Sequence, residues 1–377
     1  MDKYLDGYHK FIEKYNMVGS NLLFLRNDGY LENVTSGYSN LETKEATTTF
    51  SVYKIASVSK VIVAVGLLKL YEQNKLSLDQ DISEYLGFKV QNPFYPNDII
   101  TLRMILTQVS SIIDNGKFED GIYKGYYGAN QTDDYIKLED ILTPTSMHYY
   151  HTFSNHKPGT NFSYSNLGCG ILACICEKIT KKHFRDYIKE VLLEPLNIKS
   201  GFRVSDVENE EDIVCHYTYE NDEFHLYGNH QIFKQTECLE YPLGDNYRGV
   251  AGGLYISAQD LSKIMGMLMN KGIYNNQRIL EEKTVNEMET VWWEGIPEDP
   301  TYRKKGLQMI IMDQFTKKPL KGHFGNAYGL RSFMLYNELG GLIFLCNGAN
   351  FLTDEDHMTK LQEELIKYLV EITKISL

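Results

Sequence analysis

Polar and apolar positions change their spacing along the chain, and the changes mark its elements. The opening stretch, MDKYLDGYHKFIEKYN, repeats apolar residues at three- and four-residue intervals and predicts an amphipathic helix. SNLLFLRNDGYLENVTSGYSN follows, two alternating runs around Asn27-Asp28-Gly29, the residue order of a tight hairpin. Then IASVSKVIVAVGLLKLYEQN, Ile55 to Asn74, is almost wholly apolar. A helix apolar on every side is a buried one, and here it is expected to begin at Ser57.

From Leu76 to Arg248 the pattern shifts to short helices between long, tyrosine-rich polar loops. TLRMILTQVSS and SNLGCGILACICEKITKKHFRDYIKEVLLEPLNI are its clearest helical pieces, the second long enough for two helices. VAGGLYISAQDLSKIMGMLMNKG adds another helix, after which strand signals return in GLQMIIM, GHFGN, GLRSFMLYN and GGLIFLCNG. EDHMTKLQEELIKYLVEITKI predicts a closing helix. Strand material near both ends, with helical material between, predicts an α/β (α+β) fold. Residues 1–75 and 249–377 would form an antiparallel sheet flanked by the N- and C-terminal helices. Residues 76–248 would form an inserted, mostly helical lobe, with a cleft where the two meet.

Composition narrows the partners. The chain has 377 residues, 43% of them hydrophobic, enough for a real core, and a formal charge of −12. That charge argues against nucleic acid or an anionic membrane surface. No apolar run reaches the roughly 18 residues that span a bilayer, and the N-terminus lacks a signal peptide's apolar stretch. Six cysteines, at 169, 174, 176, 215, 238 and 346, contain no C-x2-C pair of the kind that holds zinc. They are expected to be buried free thiols, which suits a cytoplasmic, reducing setting; a secreted form whose signal has been removed is the other reading.

Ser57 and Lys60 stand out against the apolar helix. Residues three apart share a helix face, so the hydroxyl and ammonium can touch, and a lysine beside a serine can activate a nucleophile. The bland alternative is a capping serine and a lysine reaching to water. S-x-x-K also occurs at Ser51/Lys54 and Ser154/Lys157, but the latter enters a KPGT turn and the former has no periodic context.

Two further patterns follow in order: Tyr164-Ser165-Asn166 before a long apolar helix, and His323-Phe324-Gly325 in a strand-like run. Y-x-N occurs six times, so Tyr164 is selected by the preceding KPGT turn and the helix after it. With SVSK, these segments resemble the serine β-lactamase and penicillin-binding-protein superfamily, especially its class C and esterase-like branch, from about Phe50 to Asn347. The resemblance implies a serine hydrolase acting through an acyl-enzyme on Ser57. Lys60 and Tyr164 would share the proton handling, either one serving as base. Asn166 would hold the acyl side of the substrate. His323 and Gly325 would line the cleft, and the backbone N–H groups of Ser57 and Asn326 would form the oxyanion hole.

No metal or organic cofactor is implied. The substrate would be a small molecule or short peptide: a D-amino-acid peptide, a carboxylic ester or a β-lactam. A binding or scaffold protein that kept the fold and lost turnover is the alternative. Two departures bear on substrate choice. Gln108-Val109-Ser110-Ser111 replaces the usual His-Thr-Ser-Gly, and Phe324 replaces a threonine or serine whose hydroxyl helps to bind a carboxylate.

Overall fold

The computed structural model describes residues 2–114, 118–119, 122–130, 135–237, 239–350, 358–373 and 375. Helix α1 (Asp2–Lys14) leads into the hairpin β1 (Gly19–Arg26) and β2 (Leu31–Asn40). At its turn the Tyr30 N–H donates to Asp28 Oδ1 at 3.0 Å, and Gly29 takes a φ of 87°. The Asn-Asp-Gly order thus works as expected, since only glycine enters that region without strain.

A two-residue β3 (Glu45–Ala46) extends the edge, and six strands follow much later in the chain. These are β4 (Trp293–Glu294), β5 (Lys304–Lys305), β6 (Ile310–Met312), β7 (Leu320–Ala327), β8 (Leu330–Tyr336) and β9 (Gly340–Cys346). The nine form one antiparallel sheet in the order β4-β5-β6-β7-β8-β9-β1-β2-β3.

Strand alternation sorts the side chains into two cores. Leu22, Phe333, Leu342 and Phe344 face Tyr8 of α1 and Leu361, Leu365 and Leu369 of α5 (Lys360–Thr373). Leu23, Met334, Ile343 and Leu345 face the opposite layer, with α2 (Ser59–Glu72) and α4 (Ala258–Met269). Because both faces are covered, β9 is buried at every residue and reads as a continuous apolar run.

The central helix departs from expectation at its start. Ser57 lies in a 3₁₀ turn, Ala56–Val58, and the α-helix proper begins at Ser59. On its far side α2 packs against α3 (Asn166–Thr180), so it is enclosed by sheet and helices alike. That explains its lack of a polar face. Cys169, Cys174, Cys176, Cys215 and Cys346 are free and buried, while Cys238 lies outside the described residues. Among the described residues no helix is long and apolar enough to cross a membrane.

Candidate active site

The site forms where β7 loses its neighbour. β6 pairs with β7 only over Leu320–Gly322, so from His323 to Ala327 the ladder with β8 continues alone. The Ile55–Ser57 turn packs against this stretch. The Ser332 hydroxyl of β8 lies 3.0 Å from the Ile55 carbonyl oxygen and 3.2 Å from the Gly325 carbonyl oxygen and shares its one proton between them, fastening turn to strand. A Cβ at position 325 would fall inside the radii of that Ile55 oxygen and the Ser332 hydroxyl, and 3.2 Å from the Ala56 Cβ. The glycine of H-x-G is therefore a requirement for close approach, and Gly325 acts by letting the Ser57 turn in. Ala56, immediately before Ser57, has a φ of 50°. An L-residue there costs about 1–2 kcal/mol, and the surrounding contacts hold it.

Two donors converge on the Ser57 hydroxyl. Lys60 Nζ reaches its Oγ at 2.9 Å, and the Tyr164 hydroxyl reaches it at 2.7 Å. Lys60 is fully buried and uses all three of its N–H groups. The other two go to Asn166 Oδ1 at 2.7 Å and the Ala251 carbonyl at 3.0 Å. Its ammonium also lies 4.8 Å from the Tyr164 ring centroid. The sequence-derived set Ser57, Lys60, Tyr164 and Asn166 is thus brought into one hydrogen-bonded cluster from two segments, the turn before α2 and the start of α3.

His323 is placed differently from the expected cleft-lining group. It is fully buried, its Nδ1 lies 2.6 Å from the Phe324 carbonyl oxygen, and its ring sits 6.3 Å from that of Tyr164. It is paired with Met334 and shares the strand face of Gly325, against which the Ser57 turn packs, so it sits beside the cluster with no exposed surface. Asn326 does line the cleft, with its carboxamide turned to α5, where Gln362 Nε2 donates to its Oδ1 at 2.9 Å. Of its groups, the side chain is committed to the fold.

Two groups near the cluster carried no sequence signal. Asp114 is buried behind Asn166. It follows the Gln108–Ser111 segment. Ser111 keeps a left-handed φ of 66°, held by Asn92 Nδ2 at 2.8 Å on its hydroxyl and by Ser154 N–H at 2.8 Å on its carbonyl. Lys305 of β5 is fully buried, its Nζ has no hydrogen-bond partner among the described residues, and it lies 5.2 Å from the Tyr302 ring. Burial, with the nearby Lys60 charge adding to it, pulls its pKa down to about 7.

The cluster opens into a cleft of about 1140 Å³. Phe162, Tyr302 and Trp293 line one side, and Tyr227, Phe233 and Tyr328 another. Lys54 is held among these last, 4.4 Å from the Tyr328 ring centroid. Aromatic side chains thus form part of the walls, and charged groups such as Lys54, Asp114, Glu177 and Arg248 line the same cleft, as suits a ligand with both apolar and polar parts.

Comparison with known proteins agrees with this architecture. The chain superposes on an octameric penicillin-binding protein homologue from Pyrococcus abyssi with a TM-score of 0.74 and 22% identity, covering 99% of this chain and 77% of that one. A D-amino acid amidase from Ochrobactrum anthropi, solved with L-phenylalanine, gives a TM-score of 0.73 at 20% identity and 99% coverage of both. These likenesses establish the fold. In sequence, the flp protein of Staphylococcus aureus is 26% identical over 204 residues, 54% of this chain and 38% of its own length. The match thus spans well under half of that relative. A family model described as Beta-lactamase matches residues 3–365, so that sheet, inserted helices and cleft all fall within one match, and the chain belongs to that family.

Proposed function

We propose that the protein is a serine hydrolase that cleaves a small ester or amide through an acyl-enzyme on Ser57. The observation that carries this reading is the meeting of Lys60 Nζ and the Tyr164 hydroxyl on Ser57 Oγ, at 2.9 and 2.7 Å. A hydroxyl has one proton, and attack on a carbonyl must release it. Either Lys60 or Tyr164 takes it in its basic form, and the partner's hydrogen bond steadies the oxygen that attacks. Tyr164 then passes a proton to the leaving group, and water cleaves the ester in a second step. The backbone N–H groups of Ser57 and Asn326 are assigned to the developing oxyanion. Asn166 is assigned to the acyl side of the substrate.

Among the substrates expected from sequence, a peptide or amide of a D-amino acid with an apolar side chain is favoured. The aromatic side chains in the cleft walls support it, as does the likeness to an enzyme described as a D-amino acid amidase. The buried position of His323 removes one candidate for gripping a substrate carboxylate.

Intact-mass analysis after exposure to a fluorophosphonate and to a fluorescent penicillin tests the reading. The fluorophosphonate is expected to add once, at Ser57 by peptide mapping, and Ser57→Ala is expected to take up neither probe. Labelling of the variant equal to wild type, or an adduct mapped elsewhere, would overturn it.

A further inference from the structure

Asn166 owes its orientation to a carboxylate. A carboxamide has two unlike ends: its nitrogen only donates and its oxygen only accepts. Here the oxygen takes the Lys60 ammonium at 2.7 Å, and the nitrogen donates to Asp114 Oδ2 at 2.8 Å. Asp114 is 5% exposed and accepts three more hydrogen bonds. The Asn166 N–H reaches Oδ2 at 2.6 Å, the Leu167 N–H reaches Oδ1 at 3.0 Å, and the Ser165 hydroxyl reaches Oδ1 at 3.1 Å. Each carboxylate oxygen therefore serves two donors, all from the first residues of α3 and its cap.

We propose that Asp114 is a positioning residue that fixes the rotamer of the Asn166 carboxamide and, through it, the aim of Lys60 at Ser57. The proposal rests on the reading of Ser57 as a nucleophile. Its physical basis is a pair of repulsions. If the carboxamide flipped, its oxygen would face the carboxylate of Asp114 and its NH₂ would face the ammonium of Lys60. An acceptor-only group at 114 forbids that flip, so Lys60 keeps an acceptor at Asn166 and one N–H remains directed at the serine. Burial raises the pKa of Asp114 above the usual carboxylate range, while the Leu167 and Asn166 N–H groups and the Lys60 charge oppose that shift. The chain of contacts runs from Asp114 through Asn166 and Lys60 to Ser57, and only the last three border the reacting hydroxyl or touch its partner.

A charge-exchange experiment separates orientation from helix capping. Wild type, Asp114→Asn, Asn166→Asp and the double variant Asp114→Asn/Asn166→Asp are compared for the rate of single-turnover phosphonylation of Ser57 by a fluorophosphonate. In Asp114→Asn, position 114 can offer Asn166 an NH₂ in place of a carboxylate oxygen, so the Asn166 carboxamide is no longer held with its oxygen on Lys60 and can turn its own NH₂ toward the ammonium. The rate is expected to fall about 10²-fold, as misaimed groups do, while the probe concentration giving half the maximal rate changes by less than about threefold. In the double variant, the carboxylate introduced at position 166 accepts from both Lys60 and the carboxamide introduced at position 114. The rate is then expected to recover by about fivefold or more over Asp114→Asn. Both of those proteins have lost the carboxylate cap of α3 equally, so capping cannot produce the recovery.

Phosphonylation of Asp114→Asn within about threefold of wild type would overturn the proposal, and so would a double variant no faster than Asp114→Asn. Failure of wild type to be labelled at Ser57 would instead overturn the hydrolase reading, and this inference with it. If Asp114→Asn does not fold, the ¹⁵N-labelled wild type decides. The Asn166 carboxamide protons, identified by their loss in Asn166→Asp, are expected to be protected from exchange with water. Exchange at the rate of a free carboxamide would overturn the proposal.

Discussion

Tyr164 and Ser57 are separated by 107 positions in sequence, and their oxygens meet at 2.7 Å. The contact joins the inserted helical segment to the turn that rests on the sheet. Its geometry fits proton transfer, and the Tyr164 ring is anchored separately, 5.4 Å from that of Tyr302. Removing the hydroxyl alone should therefore spare the packing. Tyr164→Phe is expected to slow single-turnover acylation by roughly 10²–10⁴-fold with little change in melting temperature. A loss under about threefold would assign the proton transfer to another group.

Gly325→Ala tests the seat of the nucleophile turn. The added methyl has no room between the Ile55 carbonyl and the Ser332 hydroxyl, both of which are backed by the sheet. Overpacking of this kind costs about 1–3 kcal/mol. Thermal melts should show that loss, and acylation should slow with it, because what must move is the backbone leading into Ser57.

His323→Lys tests the buried placement of the histidine. A cleft-facing lysine would leave stability alone and draw substrates bearing a carboxylate. In the enclosed site on the α2 face, a new ammonium must instead give up its water, and a destabilisation of about 2–4 kcal/mol is expected with no gain in carboxylate preference. Chemical denaturation, together with KM for a matched acid and neutral ester, decides between the two.

Lys305 predicts a pH dependence of stability with a definite sign. Its folded pKa is lowered to about 7, whereas an unfolded lysine titrates near 10.4. Between those values the unfolded chain holds a proton that the folded protein does not, so the lysine's destabilising effect is complete below pH 7 and fades as pH rises toward 10. Lys305→Met removes it at every pH. The variant should be more stable than wild type by about 2–4 kcal/mol at pH 7, with the gap closing by pH 10. Denaturant melts across that range measure it, and a gap that does not change with pH would mean the amine is charged and solvated.

Much of this arrangement was legible in the sequence. The three-residue spacing of Ser57 and Lys60 places both on one side of a tight turn, whether 3₁₀ or α, so the error over where the helix begins did not disturb the pair. Tyr164 was recoverable from the turn and helix around it, although Y-x-N by itself is common in this chain. Alternation puts His323 on the face of Gly325 that meets the Ser57 turn, but it does not tell which residues of that face stay exposed, and this one is fully buried. Asp114 could not be read at all. Its partners lie 51 to 53 residues away, and nothing local distinguishes it from a loop aspartate. Lys305 misleads for the opposite reason, since a Lys-Lys-Gly segment looks solvated and its burial depends on Phe162 and Tyr302 folding over it.

The order of strands in the sheet has a consequence for how the chain is made. β1, from Gly19 to Arg26, lies between β2 and β9, and its partner strand ends at Cys346. During synthesis the first hairpin therefore leaves the ribosome with an open, largely apolar strand edge, which stays open while more than three hundred further residues are added. Ser57 is translated early too, but the strands that seat its turn, β7 and β8, come late. Activity should thus be absent from any nascent chain stopped before Tyr336, and folding of the finished chain should be slow, governed by closure of that long-range pairing.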